Sequence, residues 1–253
     1  MKRNPQLAVV RPKTNRMDSS GRLIGNKILL SIPGFEYQIL RPKLEPVELP
    51  QRLALHEPHE KQNYAYFLNC GLASIIVAMN GGRGVEAGVV GCEGVVGTGL
   101  AVGLDHSPLR VIMQVEGDGV RVEADDFRAV LRDAPELNAS ISRYAVLQGM
   151  QIAQTAACNR LHDVRQRLAR WLLMAQDRVD DKVIPLTQNF LATMLGTDRP
   201  SVTLAAGSLR KRRAIRYRRA AVEIVSRSRL EASACECYRV TRDLGRKLGL
   251  NLD

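Results

Sequence analysis

The first 22 residues, "MKRNPQLAVVRPKTNRMDSSGR", mix charge, proline and small polar groups without a hydrophobic period, which predicts a disordered basic arm. Its apolar run at residues 7–10 is too short for a signal-peptide core. "NKILLSIPGFEYQILRPKLEPVEL" reads as a short amphipathic helical lead-in, interrupted at Pro33-Gly34. Between residues 50 and 122 the pattern changes to short apolar runs divided by glycine turns. "AYFLNCGLASIIVAM" and "RGVEAGVVG" flank Asn80-Gly81-Gly82, a hairpin signal, and "LRVIMQVEGDGVRVEA" gives two more strands around Gly117-Asp118-Gly119. Short strands without intervening helices predict an antiparallel barrel or roll.

Beyond Asp125 the period becomes helical. "ADDFRAVLRDAPEL" predicts a short helix, and Pro135 starts the next. In "LNASISRYAVLQGMQIAQTAACNRL" apolar residues recur at three- and four-residue steps, including Ile141, Tyr144, Met150, Ala153 and Ala157. A long helix needs a cover for such a stripe. A second copy of the chain is the reading adopted, and the roll itself is the alternative. "DVRQRLARWLLMAQDR" predicts another helix, capped by Asp163, with Val164, Leu168, Trp171, Leu172 and Ala175 inward.

"PLTQNFLATMLGTDRPSVTLAAGSLRKRRAIRY" then compresses several signals into 33 residues. Thr187 can cap a first helix, and Gly196 ends it where a left-handed residue is needed. Asp198 can cap a second helix, with Pro200 in its first turn. The three-residue link matches a helix-turn-helix. Val202, Ala205, Ala206 and Leu209 mark the inward face, leaving Arg199, Ser201, Thr203, Leu204 and Ser208 outside. "AIRYRRAAVEIV" predicts a two-strand wing with basic residues at its turn.

Charge sharpens this. The 253-residue chain carries a net +11. Residues 1–60 hold +4, residues 61–179 are neutral and residues 180–253 hold +7. A basic field concentrated on the helix-turn-helix suits a polyanion, although a generic basic surface has the same charge.

This order resembles the Crp/Fnr family of bacterial transcription regulators over residues 24–232. The helix-turn-helix carries the most specific part of the likeness, "NRLHDVRQRLARWLL" adds the hinge and following helix, and the roll matches by order and turns. The implied fold is α+β: an N-terminal antiparallel, jelly-roll-like β-roll, a long central dimerisation helix and a C-terminal winged helix-turn-helix. The expected divisions are an arm (1–22), a cyclic-nucleotide-binding-like roll (23–134), the dimerisation helix and hinge (135–162), the winged domain (163–232) and a tail (233–253). The resemblance implies a homodimeric, cytoplasmic regulator that binds double-stranded DNA at an inverted repeat and works with RNA polymerase, with no membrane association.

By the same resemblance Arg199 falls on the family's guanine-reading arginine, and a bidentate donor at a recognition-helix start is a common base contact. Ser201 and Thr203 join it as candidate base readers. Thr187, Arg210, Lys211, Arg218 and Arg219 are the candidate phosphate contacts, and Thr187 and Ser201 fall where the family touches the backbone. Pro200 and Leu204 stand where cyclic-AMP-responsive members carry a glutamate and a second arginine, so the sequence read differs. In the roll, Gly97-Thr98 and His106-Ser107 stand where nucleotide-binding members carry Gly-Glu and Arg-Ser or Arg-Thr. Without that carboxylate and arginine, cyclic AMP is not expected to bind.

Other chemistry is sparse. The nine glycines between Gly81 and Gly103 lack the Gly-Lys-Ser/Thr of a phosphate loop. No catalytic pairing has motif support, so no enzymatic activity or cofactor is expected. The alternative is a ligand-sensing or scaffolding roll protein whose helical C-terminal domain binds protein rather than DNA. The five cysteines, Cys70, Cys92, Cys158, Cys235 and Cys237, form no disulfide pattern. Cys235-Glu-Cys237 supplies two thiols, too few for a closed metal site, and His56-x-x-His59 is a weak spacing.

Overall fold

A computed structural model describes residues 15–79, 84–179, 181–218 and 221–249. Two helices lead in, α1 (Lys27–Ser31) and α2 (Gly34–Leu40). Asn26 caps α1 by accepting from the Leu29 N–H at 3.2 Å, while its amide donates to the Leu68 and Gly94 carbonyls. A helix of five residues cannot persist alone, so these long-range bonds and the burial of Ile28 and Leu29 hold it. The expected arm needs correction at its inner end. Residues 15–22 pack on this lead-in: Arg16 lies over the Tyr37 ring, the Tyr37 hydroxyl donates to the Met17 carbonyl, and the Asp18 carboxylate closes a turn on the Ser20 and Arg22 N–H groups. The rest of the arm lies outside the described residues.

Seven strands build the roll: β1 (Glu45–Leu49), β2 (Ala54–His56), β3 (Tyr64–Leu68), β4 (Leu72–Ala78), β5 (Gly84–Val90), β6 (Leu109–Val115) and β7 (Gly117–Glu123). They form two antiparallel sheets, in the orders β1-β7-β3 and β2-β6-β4-β5. β4 and β5 pair across the expected Asn80-Gly81-Gly82 turn, which itself lies outside the described residues. The Gly117-Asp118-Gly119 turn is not a turn. The chain changes sheets at Glu116, and all three residues pair with β1 inside β7. Glycine is required there by close packing: a Cβ on Gly117 would sit 2.3 Å from the Cys70 carbonyl oxygen, and one on Gly119 2.4 Å from that of Phe67. A 3₁₀ turn, Thr98–Val102, also interrupts the strands where no helix was expected.

α3 (Ala124–Asp133) and α4 (Pro135–Leu161) follow, with Pro135 in the first turn of α4 as its sequence suggests. α5 (Val164–Val179) begins at Asp163, whose carboxylate accepts from the Gln166 N–H at 2.8 Å. Its burial exceeds the predicted stripe, because residues 167–175 are all buried while Val164 is half-buried. The cause is cover on two sides. Toward the roll, Trp171 Nε1 donates to Glu86 at 2.6 Å, and Arg178 pairs with Glu93 at 2.8 Å with both side chains inaccessible. Toward the C-terminal domain, Leu168, Leu172 and Trp171 join the core of the helices that follow.

That domain contains β8 (Val183–Ile184), α6 (Gln188–Met194), α7 (Arg199–Lys211), β9 (Ile215–Arg218), β10 (Ala221–Ile224) and α8 (Arg227–Glu231). The wing has three strands rather than two, in the order β8-β10-β9. The segment expected to be a tail instead forms α9 (Cys237–Lys247), packed on α4 and α5. Among the described residues no helix is long and apolar enough to cross a membrane.

Candidate nucleic-acid interface

The helix-turn-helix forms as its capping residues dictate. Thr187 Oγ1 accepts from the Phe190 N–H at 3.2 Å to start α6, and Gly196 takes a positive φ of 56° just beyond its end. Asp198 Oδ1 accepts from the Ser201 N–H at 2.7 Å to start α7, holding the Asp198 carboxyl below its ordinary range through that backbone bond. α6 has seven residues, too few for autonomous stability, and relies on burial of Leu191, Ala192 and Met194. Of these, Leu191 and Met194 each contribute about 1.5–3 kcal/mol relative to exposure.

α7 is fixed by its inner face. Val202, Ala205, Ala206 and Leu209 are buried, and Arg199, Thr203 and Leu204 are exposed, with Ser201 and Ser208 half-buried. Thr203 Oγ1 lies 2.9 Å from the Arg199 carbonyl and 3.0 Å from the Gln188 amide oxygen, tying the two helices together at their outer edge. Arg210, Lys211, Arg212 and Arg213 are exposed at the helix end, where positive charge also suits the helix dipole. Thr187 is exposed at the start of α6. Arg218 closes β9, and Arg219 lies outside the described residues. This arrangement presents one exposed helix with a guanidinium at its leading turn and cations at its far end.

The stripe of α4 divides. Ile141 and Tyr144 are buried in the core of the roll, where Tyr144 fills space that a Cβ on Gly94 would occupy. Met150, Ala153 and Ala157 are exposed, and with Val146 they follow one face of the helix. The roll therefore covers one half of the stripe and leaves the other half exposed.

Residues 166–233 match the Crp-like helix-turn-helix domain family. Among solved structures, FixK2 from Bradyrhizobium japonicum superposes with a TM-score of 0.65 at 14% identity, covering 76% of this chain and 98% of that one. The c-di-GMP-responsive global regulator CLP from Xanthomonas campestris gives 0.63 at 16% identity, with coverage of 77% and 100%. A Crp/Fnr-family transcriptional regulator from Thermus thermophilus gives 0.62 at 16%, with coverage of 75% and 98%. No curated protein matches the chain by sequence. The chain has the Crp/Fnr fold, with a Crp-like helix-turn-helix domain. The α+β architecture of roll, long helix and winged domain read from the sequence is thus the one observed.

In this Crp/Fnr fold, Gly97, Thr98, His106 and Ser107 meet at one cleft of about 310 Å³ lined by the β2-β6-β4-β5 sheet, the segment around the 3₁₀ turn and Gln148 of α4. Ile75, Val90, Val96, Leu104 and Val111 make it largely apolar, and Gln62 and Gln148 add amides. His56 backs it, with Nε2 buried and unbonded among the described residues. Among the described residues no arginine, lysine or carboxylate lines it. Arg110 pairs instead with Glu57 at 2.9 Å.

The cysteines depart most from the sequence reading. Cys158 and His162, at the end of α4, meet Cys235 and Cys237, and the four candidate ligand atoms lie within 4.8 Å of one another. Cys158 Sγ and Cys235 Sγ are 3.5 Å apart, and Cys237 Sγ is 3.7 Å from His162 Nδ1. The Cys235 thiol bonds to Cys158 and pulls the Cys158 thiol below its ordinary value, raising its own. Two thiols in sequence become four ligands in space. The missed signal was Cys158-x-x-x-His162, which at a spacing of four shares one helical face.

Proposed function

We propose that the protein is a homodimeric, sequence-specific DNA-binding transcription regulator that acts on an inverted repeat. One observation carries this reading: α7 buries Val202, Ala205, Ala206 and Leu209 while leaving Arg199, Thr203 and a basic end exposed on the face that would meet a major groove. Arg199 reads a base, most readily the two acceptors of guanine, with Ser201 and Thr203 beside it. Arg210, Lys211, Thr187 and the wing's Arg218 and Arg219 meet phosphates. Two recognition helices related by a two-fold axis require half-sites about 10 base pairs apart.

Base reading and phosphate contact leave different marks. Arg199→Ala should cost about 1–3 kcal/mol per half-site and relax preference at one position. Lys211→Ala should weaken all sequences alike and lower the salt slope by about one unit per contact. Binding isotherms on a selected operator and its single-base variants, at several salt concentrations, decide the matter. Intact preference in Arg199→Ala would mean that α7 does not read bases, and no shift of any genomic fragment would favour a protein-binding role for the domain.

The cleft of the roll is not a cyclic AMP site in this reading. Thr98 and His106 offer no carboxylate for a ribose and no permanent cation for a phosphate, and among the described residues His56 is the other titratable side chain that lines the cleft. Isothermal calorimetry should detect no cyclic AMP binding. A micromolar dissociation constant would overturn that expectation.

A further inference from the structure

The cysteine cluster lies at the joint between α4 and the C-terminal domain. Cys158 is on the last turns of α4, and His162 caps that helix. Cys235 and Cys237 lead into α9, with Cys235 77 residues along the chain from Cys158. Cys158, Cys235 and Cys237 are buried together, and His162 is partly buried. We propose that Cys158, His162, Cys235 and Cys237 bind one zinc-type divalent ion in a tetrahedral site of three thiolates and one imidazole.

The spacing selects a single ion. With metal–sulfur bonds of about 2.3 Å, a tetrahedron places its sulfurs about 3.8 Å apart. The observed 3.5 Å between Cys158 and Cys235, and 3.7 Å between Cys237 and His162, need only sub-ångström adjustment. An iron–sulfur cluster interposes several irons and sulfides, and would hold its ligands further apart than these four stand. Thiolate-rich tetrahedral sites favour zinc over hard cations such as magnesium or calcium.

The surroundings suit a bound ion. His162 offers Nδ1 to the cluster while its Nε2 lies 3.2 Å from a Glu236 carboxylate oxygen, the carboxylate–histidine pairing that orients metal-bound imidazoles. Gln154 Nε2 donates to Cys237 Sγ at 3.0 Å, a bond that favours a thiolate. A site of three thiolates, neutral imidazole and a divalent ion carries one net negative charge. Arg167 and Arg170 stand beside Cys158 on α5, both more than nine-tenths buried. Their outer nitrogens donate to neutral oxygens, of Leu195 and Thr155, and each Nε is unbonded among the described residues. Arg170 also lies near the Glu86 carboxyl, and the loaded site would add a negative charge beside both buried guanidinium groups.

The test uses the full chain purified under reducing, anaerobic conditions. Elemental analysis should find one zinc per chain, and X-ray absorption should find three sulfurs at about 2.3 Å and one nitrogen at about 2.0–2.1 Å. Cys158→Ser and Cys237→Ser should lose the metal, whereas Cys70→Ser, at an exposed thiol, should keep it. Glu236→Gln should retain the site with zinc affinity about 10-fold weaker. If the cysteine variants fail to fold, cobalt(II) is titrated into chelator-treated wild type, where thiolate-to-cobalt absorption should saturate at one equivalent. Failure of reduced wild type to take up either ion overturns the proposal. So does an iron–sulfur chromophore, or metal retained by a Cys158→Ser, Cys237→Ser double variant.

Discussion

Glu86 concentrates the chemistry of the joint between the roll and the helix-turn-helix domain in one side chain. It leaves β5 fully buried, accepts from Trp171 Nε1 and bonds Ser74 Oγ. Desolvation raises its carboxyl from an ordinary value near 4.5 to about 7, while the Ser74 and Trp171 bonds and the charges of Arg170 and Arg178 pull the other way. The folded protein therefore holds this proton more tightly than the unfolded chain. The resulting stability is fully present below about pH 4.5 and is lost as the pH rises through about 7. Gln mimics the neutral acid, since its carbonyl can accept from Trp171 and its amide can donate to Ser74. Relative to wild type, Glu86→Gln should gain about 2–3 kcal/mol between pH 4.5 and pH 8. Urea unfolding of both proteins across that range checks this, and parallel stability curves would show that Glu86 is not the titrating group.

At the scale of elements, local signals were legible wherever one residue type has one use. Thr187, Gly196 and Asp198 stand at the cap and turn positions their sequence suggests, because caps depend on neighbours within three residues. Gly117 and Gly119 misled because two demands select glycine. A turn needs its torsional freedom, and a crowded strand needs its missing Cβ, a fact set by Cys70 and Phe67, far away in the sequence. α4 shows the same division. Its three- and four-residue period identifies a helix, but which part of the stripe meets the roll depends on where Gly94 leaves room for Tyr144. The Cys235-Cys237 pair was visible and its partners were not, since α9 reaches Cys158 and His162 through tertiary packing alone. The roll's cleft lay between these cases. Gly97, Thr98, His106 and Ser107 were chosen by resemblance and do converge, whereas the contribution of His56 required the β2–β6 pairing.

For the whole molecule, the proposed homodimer makes the exposed half of the α4 stripe the face to test. Val146, Met150, Ala153 and Ala157 run along one face and expose apolar surface beside a roll that has already covered Ile141 and Tyr144. Small residues at 149, 153, 156 and 157 allow a second helix to approach closely. In the proposed dimer, a two-fold axis through this face would set Ala153 near the corresponding helix of the other subunit. Ala153→Glu would then place a carboxylate from each subunit in an apolar seam, where desolvation and like-charge repulsion act together. Because Ala153 is exposed in the single chain, the substitution leaves the roll core and the helix-turn-helix intact. The variant should sediment as a folded monomer at low micromolar concentration, with unchanged circular dichroism. Its affinity for an inverted repeat should fall toward that for a single half-site, since the two recognition helices would no longer be held at a fixed separation. A variant that stays dimeric in analytical ultracentrifugation would place the interface elsewhere. A monomer that still binds the full repeat as wild type does would separate assembly from operator recognition.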